Sequence, residues 1–258
     1  MFPKSKIKKL TQDLSNICLN AGEFLKTHVN EINKEVHSSL KKDFKLSGDL
    51  LTEKLIISSL EKISSYPIIS EETLNSTELP KASPFWIIDP IDGTMNLNRQ
   101  FPMACISIAL WEENHPILGI VYDLFRDKIY SLDTMTPQSL SSKPESIDQA
   151  ILATGFPVYM DYSSQNIENF TLRVSAFKKI RMIGSAALSL CYVAMRSFDV
   201  YYEENIMIWD VAGGLALLDS NGGKFKLIET PQPLCYNVVA SHCPSLFDKT
   251  IELCAHHL

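Results

Sequence analysis

Residues 83–110 read SPFWIIDPIDGTMNLNRQFPMACISIAL, and the reading of the chain turns on its central hexapeptide, Asp89-Pro90-Ile91-Asp92-Gly93-Thr94. Phe85-Trp86-Ile87-Ile88 is a short apolar run expected to form a buried strand. Pro90 fixes its own φ and pushes Asp89 toward extended backbone. Gly93 permits a tight turn, and Thr94 is placed to cap the helix that follows. The expected product is a stiff corner that throws two carboxylates to one side and presents N–H groups beside them. Paired carboxylates are hard oxygen ligands suited to Mg²⁺, and N–H groups at a turn or helix start suit an oxyanion such as phosphate. Asp-Pro and Asp-Gly are also ordinary turn dipeptides, so the corner gains meaning only if distant parts of the chain supply matching ligands.

Working outward, the 258 residues suffice for one large domain or two smaller ones. Hydrophobic residues make up 45% and charged residues 21%, an ordinary globular balance. The formal net charge of −6 gives no support to nucleic acid or an acidic membrane as partner, since both require a basic face. An anionic substrate must then be met by local devices. The six cysteines are scattered without a C-x-x-C pair, which points to reduced thiols in a cytoplasm rather than a disulfide frame or zinc site. The basic N-terminus lacks the apolar core of a signal peptide, and no apolar run reaches the roughly 18 residues of a membrane span, so neither is expected.

Residues 5–29 place Ile7, Leu10, Leu14, Ile17, Ala21, Phe24, Leu25 and Val29 at helical spacing. Residues 30–48 are polar and read as a loop or weak hairpin. Asp49 then stands at the start of a second amphipathic helix, where an N-cap is its simplest role. Tyr66–Ser70 is a short strand ending in Glu71-Glu72, and its neighbour in space is expected to be the strand that ends at Asp89. Residues 105–111, 117–125 and 129–132 alternate as an antiparallel meander. The Ser-, Thr- and Pro-rich residues 133–148 read as a linker. Beyond it, strands at 151–154, 180–183, 199–203 and 238–241 alternate with helices at 166–177, 186–195, 211–219 and from about 245, which predicts a partly parallel sheet. Asn221-Gly222-Gly223 is a helix stop. In Trp209-Asp210-Val211-Ala212-Gly213-Gly214, the small residues serve either close packing or the approach of a helix N-terminus to a ligand.

Three pieces occur in order: the acidic strand end at Glu71-Glu72, WIIDPIDGT at 86–94 and WDVAGG at 209–214. With GIVY at 119–122, ATGFP at 153–157 and IRMIGSAALSLCYVA at 180–194, they resemble the inositol monophosphatase family. Its members are Mg²⁺-dependent, lithium-sensitive phosphatases related to fructose-1,6-bisphosphatase. The resemblance runs from the first helix to about Gly223 and implies a layered α-β-α-β-α sandwich of mixed α and β type. An N-terminal half, 1–140, would carry the acidic metal motifs, and a C-terminal half, 141–258, the WDVAGG motif and the recognition residues. Glu71, Asp89 and the Ile91 carbonyl would hold one Mg²⁺. Asp89, Asp92 and Asp210 would hold a second, and a third, weaker ion would lie by Glu71. Thr94 paired with Asp49, together with Glu71, would activate the attacking water. The N–H groups of Gly93 and Thr94 would hold the phosphate, while Ser185, Ala186, Glu203 and Asp210 would meet the hydroxyls of a small phosphorylated polyol.

The implied activity is Mg²⁺-dependent hydrolysis of myo-inositol monophosphate or a similar polyol phosphate by a homodimeric, cytoplasmic enzyme. Within the superfamily, a 3′(2′),5′-bisphosphate nucleotidase or a sugar bisphosphatase is the alternative. A metal-binding module that acts through protein partners is a second alternative, and the complete ligand set speaks against it. Aspartyl-phosphate phosphatases are rejected because their paired carboxylates lie two apart, not three. The chain departs from the family at Lys45-Leu46-Ser47-Gly48-Asp49, where a threonine-rich stretch is usual. Ser38 stands about where a lysine near the third metal is often found, with Lys41 and Lys42 only nearby, and Arg99 stands where histidine is frequent.

Overall fold

In the computed structural model, residues 2–35, 45–73, 76–80, 83–139, 144–156 and 162–255 are described, the side chains of 28–35 and 45–47 excepted. Helix α1 (Lys4–Glu35) and helix α2 (Lys45–Leu60) are followed by strands β1 (Ile68–Ser70) and β2 (Phe85–Asp92). A one-turn helix, α3 (Thr94–Asn98), leads to β3 (Cys105–Glu112), β4 (His115–Asp123) and β5 (Lys128–Tyr130). The remainder runs β6 (Ile151–Ala153), α4 (Ser164–Ser175), β7 (Lys179–Arg181), α5 (Ala186–Ala194), β8 (Val200–Met207), α6 (Ile208–Ser220), β9 (Lys224–Glu229), β10 (Cys235–Ser241) and α7 (Pro244–Ala255).

Two five-stranded sheets result, ordered β1-β2-β3-β4-β5 and β7-β6-β8-β10-β9. In the first, β1 runs parallel to β2 and the rest is the expected meander. In the second, β6 runs parallel to both β7 and β8, while β10 pairs antiparallel with β8 and β9. Strand alternation explains the stacking. Trp86, Ile88, Ile106, Ile108 and Ile120 face α1 and α2, whereas Phe85, Ile87, Ala109 and Val121 face α5 and α6. Tyr201, Val238 and Ala240 of the second sheet share that central core, and Val200, Tyr202 and Val239 turn outward to α4 and α7. The order of layers is α1/α2, first sheet, α5/α6, second sheet, α4/α7, the expected sandwich. Helices α5 and α6 are apolar almost all round because both their faces are covered.

Several local expectations are corrected. Helix α1 runs through Glu35, so residues 30–35 are helical rather than the expected loop, and residues 36–44, with Ser38, Lys41 and Lys42, lie outside the described residues. Helix α2 already includes Lys45, so Asp49 is not its N-cap but lies inside the helix, 2% exposed. The helical stripe Asp49, Thr52, Glu53, Ile56 and Leu60 faces the sheet, and its phase begins before residue 49. Thr94 is not a cap either: Gly93 occupies the N-cap position of α3. Strand β9, KFKLIE, was not anticipated, because its alternating lysines leave too weak an apolar signal. The helix stop after α6 is as expected, with Gly222 at φ 80° and the Gly223 N–H donating to the Leu218 carbonyl at 3.0 Å.

Candidate active site

Pro90 has no N–H to give the sheet ladder, and the pairing of β2 with β3 slips there. Asp89 lies opposite Ser107 and Asp92 opposite Cys105, three steps on β2 against two on β3. In an unbroken strand, residues three apart face opposite sides. The extra residue is a β-bulge that restores Asp92 to the face of Asp89, toward α5 and α6, while Ile91 stays on the side of α1 and α2. The corner foreseen from the sequence is thus a bulge within a strand that continues through Asp92. Gly93, at φ 88°, ends it, and a Cβ there would lie 2.7 Å from the Met103 carbonyl oxygen.

Two other elements bring acids to this point. Ser70 pairs with Ile88, and the Glu71 N–H donates to the Ile88 carbonyl at 3.3 Å, which sets Glu71 beside Asp89. Asp210 enters on the first turn of α6. A Cβ on Gly213 would sit 2.4 Å from Ser107 Oγ, and one on Gly214 would sit 2.5 Å from Leu190 Cβ. The small residues of WDVAGG therefore seat α6 tightly against both β3 and α5, and this close packing fixes the depth of Asp210.

Glu71, Asp89 and Asp210 each offer a carboxylate oxygen, and the three atoms lie within 4.8 Å of one another. Asp89 is fully buried. Its Oδ1 accepts from the Ile91 N–H at 2.9 Å, whereas Oδ2 has no hydrogen-bond partner. Burial, then the charges of Glu71, Asp92 and Asp210, holds the Asp89 carboxyl well above the usual carboxylate range. Burial likewise raises Asp210, with Asp92, Glu71 and Glu203 adding to it. Converging oxygen donors around an unsatisfied buried oxygen suit a hard divalent cation, which would satisfy that oxygen and relieve the repulsion.

Asp92 is not in this trio. Its Oδ2 accepts from Ser185 Oγ at 2.6 Å, the Ala187 N–H at 2.8 Å and the Cys105 thiol at 3.6 Å, and its Oδ1 accepts from the Ala186 N–H at 3.3 Å. Burial pushes Asp92 up to about 6 against the lowering effect of these bonds. Asp92 therefore anchors the N-terminus of α5, and the Ser185 hydroxyl and Ala186 N–H, expected on substrate, are turned toward it. Thr94 Oγ1 donates to the Ile91 carbonyl at 3.0 Å, so pairing with Asp49 requires that hydroxyl to rotate. Glu203 is buried beside Asp210, and burial raises it to about 7 although the Tyr201 hydroxyl donates to it at 2.8 Å. Asp92, Ser185, Ala186, Glu203 and Asp210 line one cavity of about 240 Å³, together with Gly155 and Phe156.

Two contributors escaped the reading of the sequence. Asn96 Nδ2 donates to the carbonyls of Met103 at 2.8 Å, Ile183 at 2.8 Å and Gly184 at 3.1 Å, which staples the turn after Gly93 to the start of α5. Glu53, on the buried stripe of α2, accepts from Ser70 Oγ, the Glu72 N–H and Thr73 Oγ1. A charged residue in the core phase of an amphipathic helix was the available signal for it.

The model of the inositol monophosphatase family matches residues 7–257. Inositol monophosphatase 1 of Bos taurus is 36% identical over 231 residues, 81% of this chain and 82% of its own. A protein named Nus factor SuhB, from Xylella fastidiosa, is 30% identical over 226 residues, 83% of this chain and 81% of its own. Among solved structures, inositol monophosphatase from Anabaena (Nostoc) sp. aligns with a TM-score of 0.78 at 22% identity, covering 97% of each chain. The family so matched is one of phosphoric monoester hydrolases, and the chain has the fold of its solved members. The chain belongs to the inositol monophosphatase family.

Proposed function

We propose that the protein is a Mg²⁺-dependent phosphomonoesterase that hydrolyses myo-inositol monophosphate or a closely similar polyol phosphate. The observation that carries this is the Glu71–Asp89–Asp210 trio with Asp89 Oδ2 left without a partner. Glu71, Asp89 and the Ile91 carbonyl would hold one Mg²⁺. Asp89, Asp92 and Asp210 would hold a second, Asp92 through Oδ1, which accepts a single hydrogen bond. A third, weaker ion would lie by Glu71. Bound Mg²⁺ acidifies water and neutralises charge on the transferring phosphoryl oxygens. Glu71 and Thr94, with Asp49 on the Thr94 hydroxyl, orient the attacking water and accept its proton. The N–H groups of Gly93 and Thr94 hold the phosphate oxygens. Glu203 and Asp210 accept from the substrate hydroxyls, with Ser185 and Ala186 completing that wall.

The cavity is smaller than the roughly 300–1,000 Å³ of drug-sized sites, which suits one small ring. Glu71, Asp89 and Asp92 come from residues 1–140, and Asp210 with the recognition wall from 141–258, so metal and substrate lie between the two halves. The six free cysteines fit a cytoplasmic protein, and no helix is long and apolar enough to cross a membrane among the described residues. Homodimerisation is proposed through β7, an edge strand whose central Ile180 and the following Met182 are 38% and 49% exposed.

A panel of phosphate esters assayed with and without Mg²⁺ tests the reading. Turnover of inositol monophosphate that needs Mg²⁺ and is blocked by Li⁺ is expected; inertness toward every polyol phosphate would remove it. One observation favours a nucleotide as second reading. Phe156, which lines the cavity, stacks on Tyr162 with ring centroids 5.6 Å apart and 4° between planes, a platform for a base. Faster release from adenosine 3′,5′-bisphosphate than from inositol monophosphate would establish it.

A further inference from the structure

Glu53 is fully buried, yet an apolar residue would fill its place on the α2 stripe without the cost of burying a carboxylate. Among the described residues its interactions are hydrogen bonds to one short segment. Oε2 accepts from Ser70 Oγ and, at 2.9 Å, from the Glu72 N–H; Oε1 accepts from Thr73 Oγ1. Residues 70, 72 and 73 bracket Glu71. The parallel ladder of β1 with β2 ends at Ser70, and the next backbone bond, Glu71 N–H to the Ile88 carbonyl, is already stretched to 3.3 Å. Glu71 thus stands where regular structure gives out, and Glu53 grips the chain on both sides of it.

We propose that Glu53 is a positioning residue: it fixes the backbone around Glu71 so that this carboxylate meets Asp89 and Asp210 at the cation site. The inference rests on the metal reading of that trio. Glu53 follows Asp49 by one helical turn on the same stripe, so a single rigid helix carries both Asp49 and the clamp on Glu71. Supports one step removed from a metal alter affinity for the ion when they are lost, commonly 10–100-fold. They leave substrate binding largely alone.

The test is calorimetric titration of Mg²⁺ into the wild-type chain, Glu53→Gln and the double variant Ser70→Ala/Thr73→Val, each after treatment with chelator. Melting curves without Mg²⁺ and the Mg²⁺ dependence of turnover accompany it. Glu53→Gln keeps the shape but exchanges an acceptor oxygen for a donor; the double variant keeps Glu53 and removes two donors. Both are expected to weaken Mg²⁺ binding roughly tenfold or more, while kcat at saturating Mg²⁺ and KM for inositol monophosphate stay within about twofold of wild type. Lower melting temperatures with unchanged Mg²⁺ affinity would make the clamp merely structural and overturn the proposal. If Glu53→Gln does not fold, the double variant decides on the same criterion. A wild-type chain that binds no Mg²⁺ would overturn the metal reading itself, and this proposal with it.

Discussion

Asp89 and Asp92 stand three residues apart on one strand and one face, yet the fold treats them oppositely. Asp89 meets two other carboxylates and keeps one oxygen unsatisfied. Asp92 is wrapped by a serine hydroxyl, a thiol and two N–H groups at the start of α5. Charge at the first is a cost that only a cation relieves. At the second, donors and a helix dipole offset part of the cost of burying the charge, and the bonds they make tie α5 to the strand. On the proposed reading, Asp89 serves the ion alone, whereas Asp92 serves both the ion and the scaffold around it.

Asp89→Asn is the most severe way to sharpen this contrast. Turnover is expected to fall about a thousandfold or more, the several kcal/mol that a catalytic ion supplies. The chelator-treated variant should melt no lower than wild type, because a repelled, desolvated charge has gone. Asp92→Asn is expected to nearly abolish turnover too, but with the opposite effect on the chelator-treated chain, a loss of about 1–3 kcal/mol as charge-assisted bonds to α5 are weakened. Chemical denaturation of both variants reads the difference; parallel losses would erase the division between the two acids.

Proton and metal compete for the same oxygens, which gives a third prediction. Carboxyls raised in the fold keep protons that the unfolded chain releases near pH ~3.9. Without metal, stability should therefore fall as pH rises from about there through the folded values, that of Asp92 lying at about 6. Mg²⁺ removes that penalty, so the rise in Tm on adding it should be larger at pH 8 than at pH 5. At a hundredfold excess over Kd it should reach about 5–10 °C, measured by scanning fluorimetry. An equal shift at both pH values would contradict the buried-acid electrostatics.

The smallest effect concerns the seam between the halves. Asn96→Ala leaves the Met103, Ile183 and Gly184 carbonyls without a shared donor, and about 1–3 kcal/mol of stability should go. A loss under ~0.5 kcal/mol in urea titration would show that the staple is dispensable.

Much of this was legible in the chain itself. Short apolar runs, turn dipeptides and helical spacing located most strands and helices, because each was written in local pattern. The acids at 71, 89 and 210 were legible as a set only through family resemblance, since their meeting depends on which strands pair. What stayed hidden was tertiary. The bulge at Pro90 exists only in the register with β3, so nothing in DPID tells a corner from a slipped ladder. Asp92 looks like Asp89 until α5 is placed beside it. Glu53 stands in the core phase of its helix, a signal that shows where it lies but not that it grips residues 70–73, and β9 carries its alternation on Phe225 and Leu227 alone, too short a pattern to mark a strand.

The most direct measurement is calorimetric titration of Mg²⁺ into the chelator-treated wild-type chain and into Asp89→Asn. Saturable binding by the wild type and its loss in the variant is the predicted result. Equal binding by both would contradict a cation held between Glu71, Asp89 and Asp210.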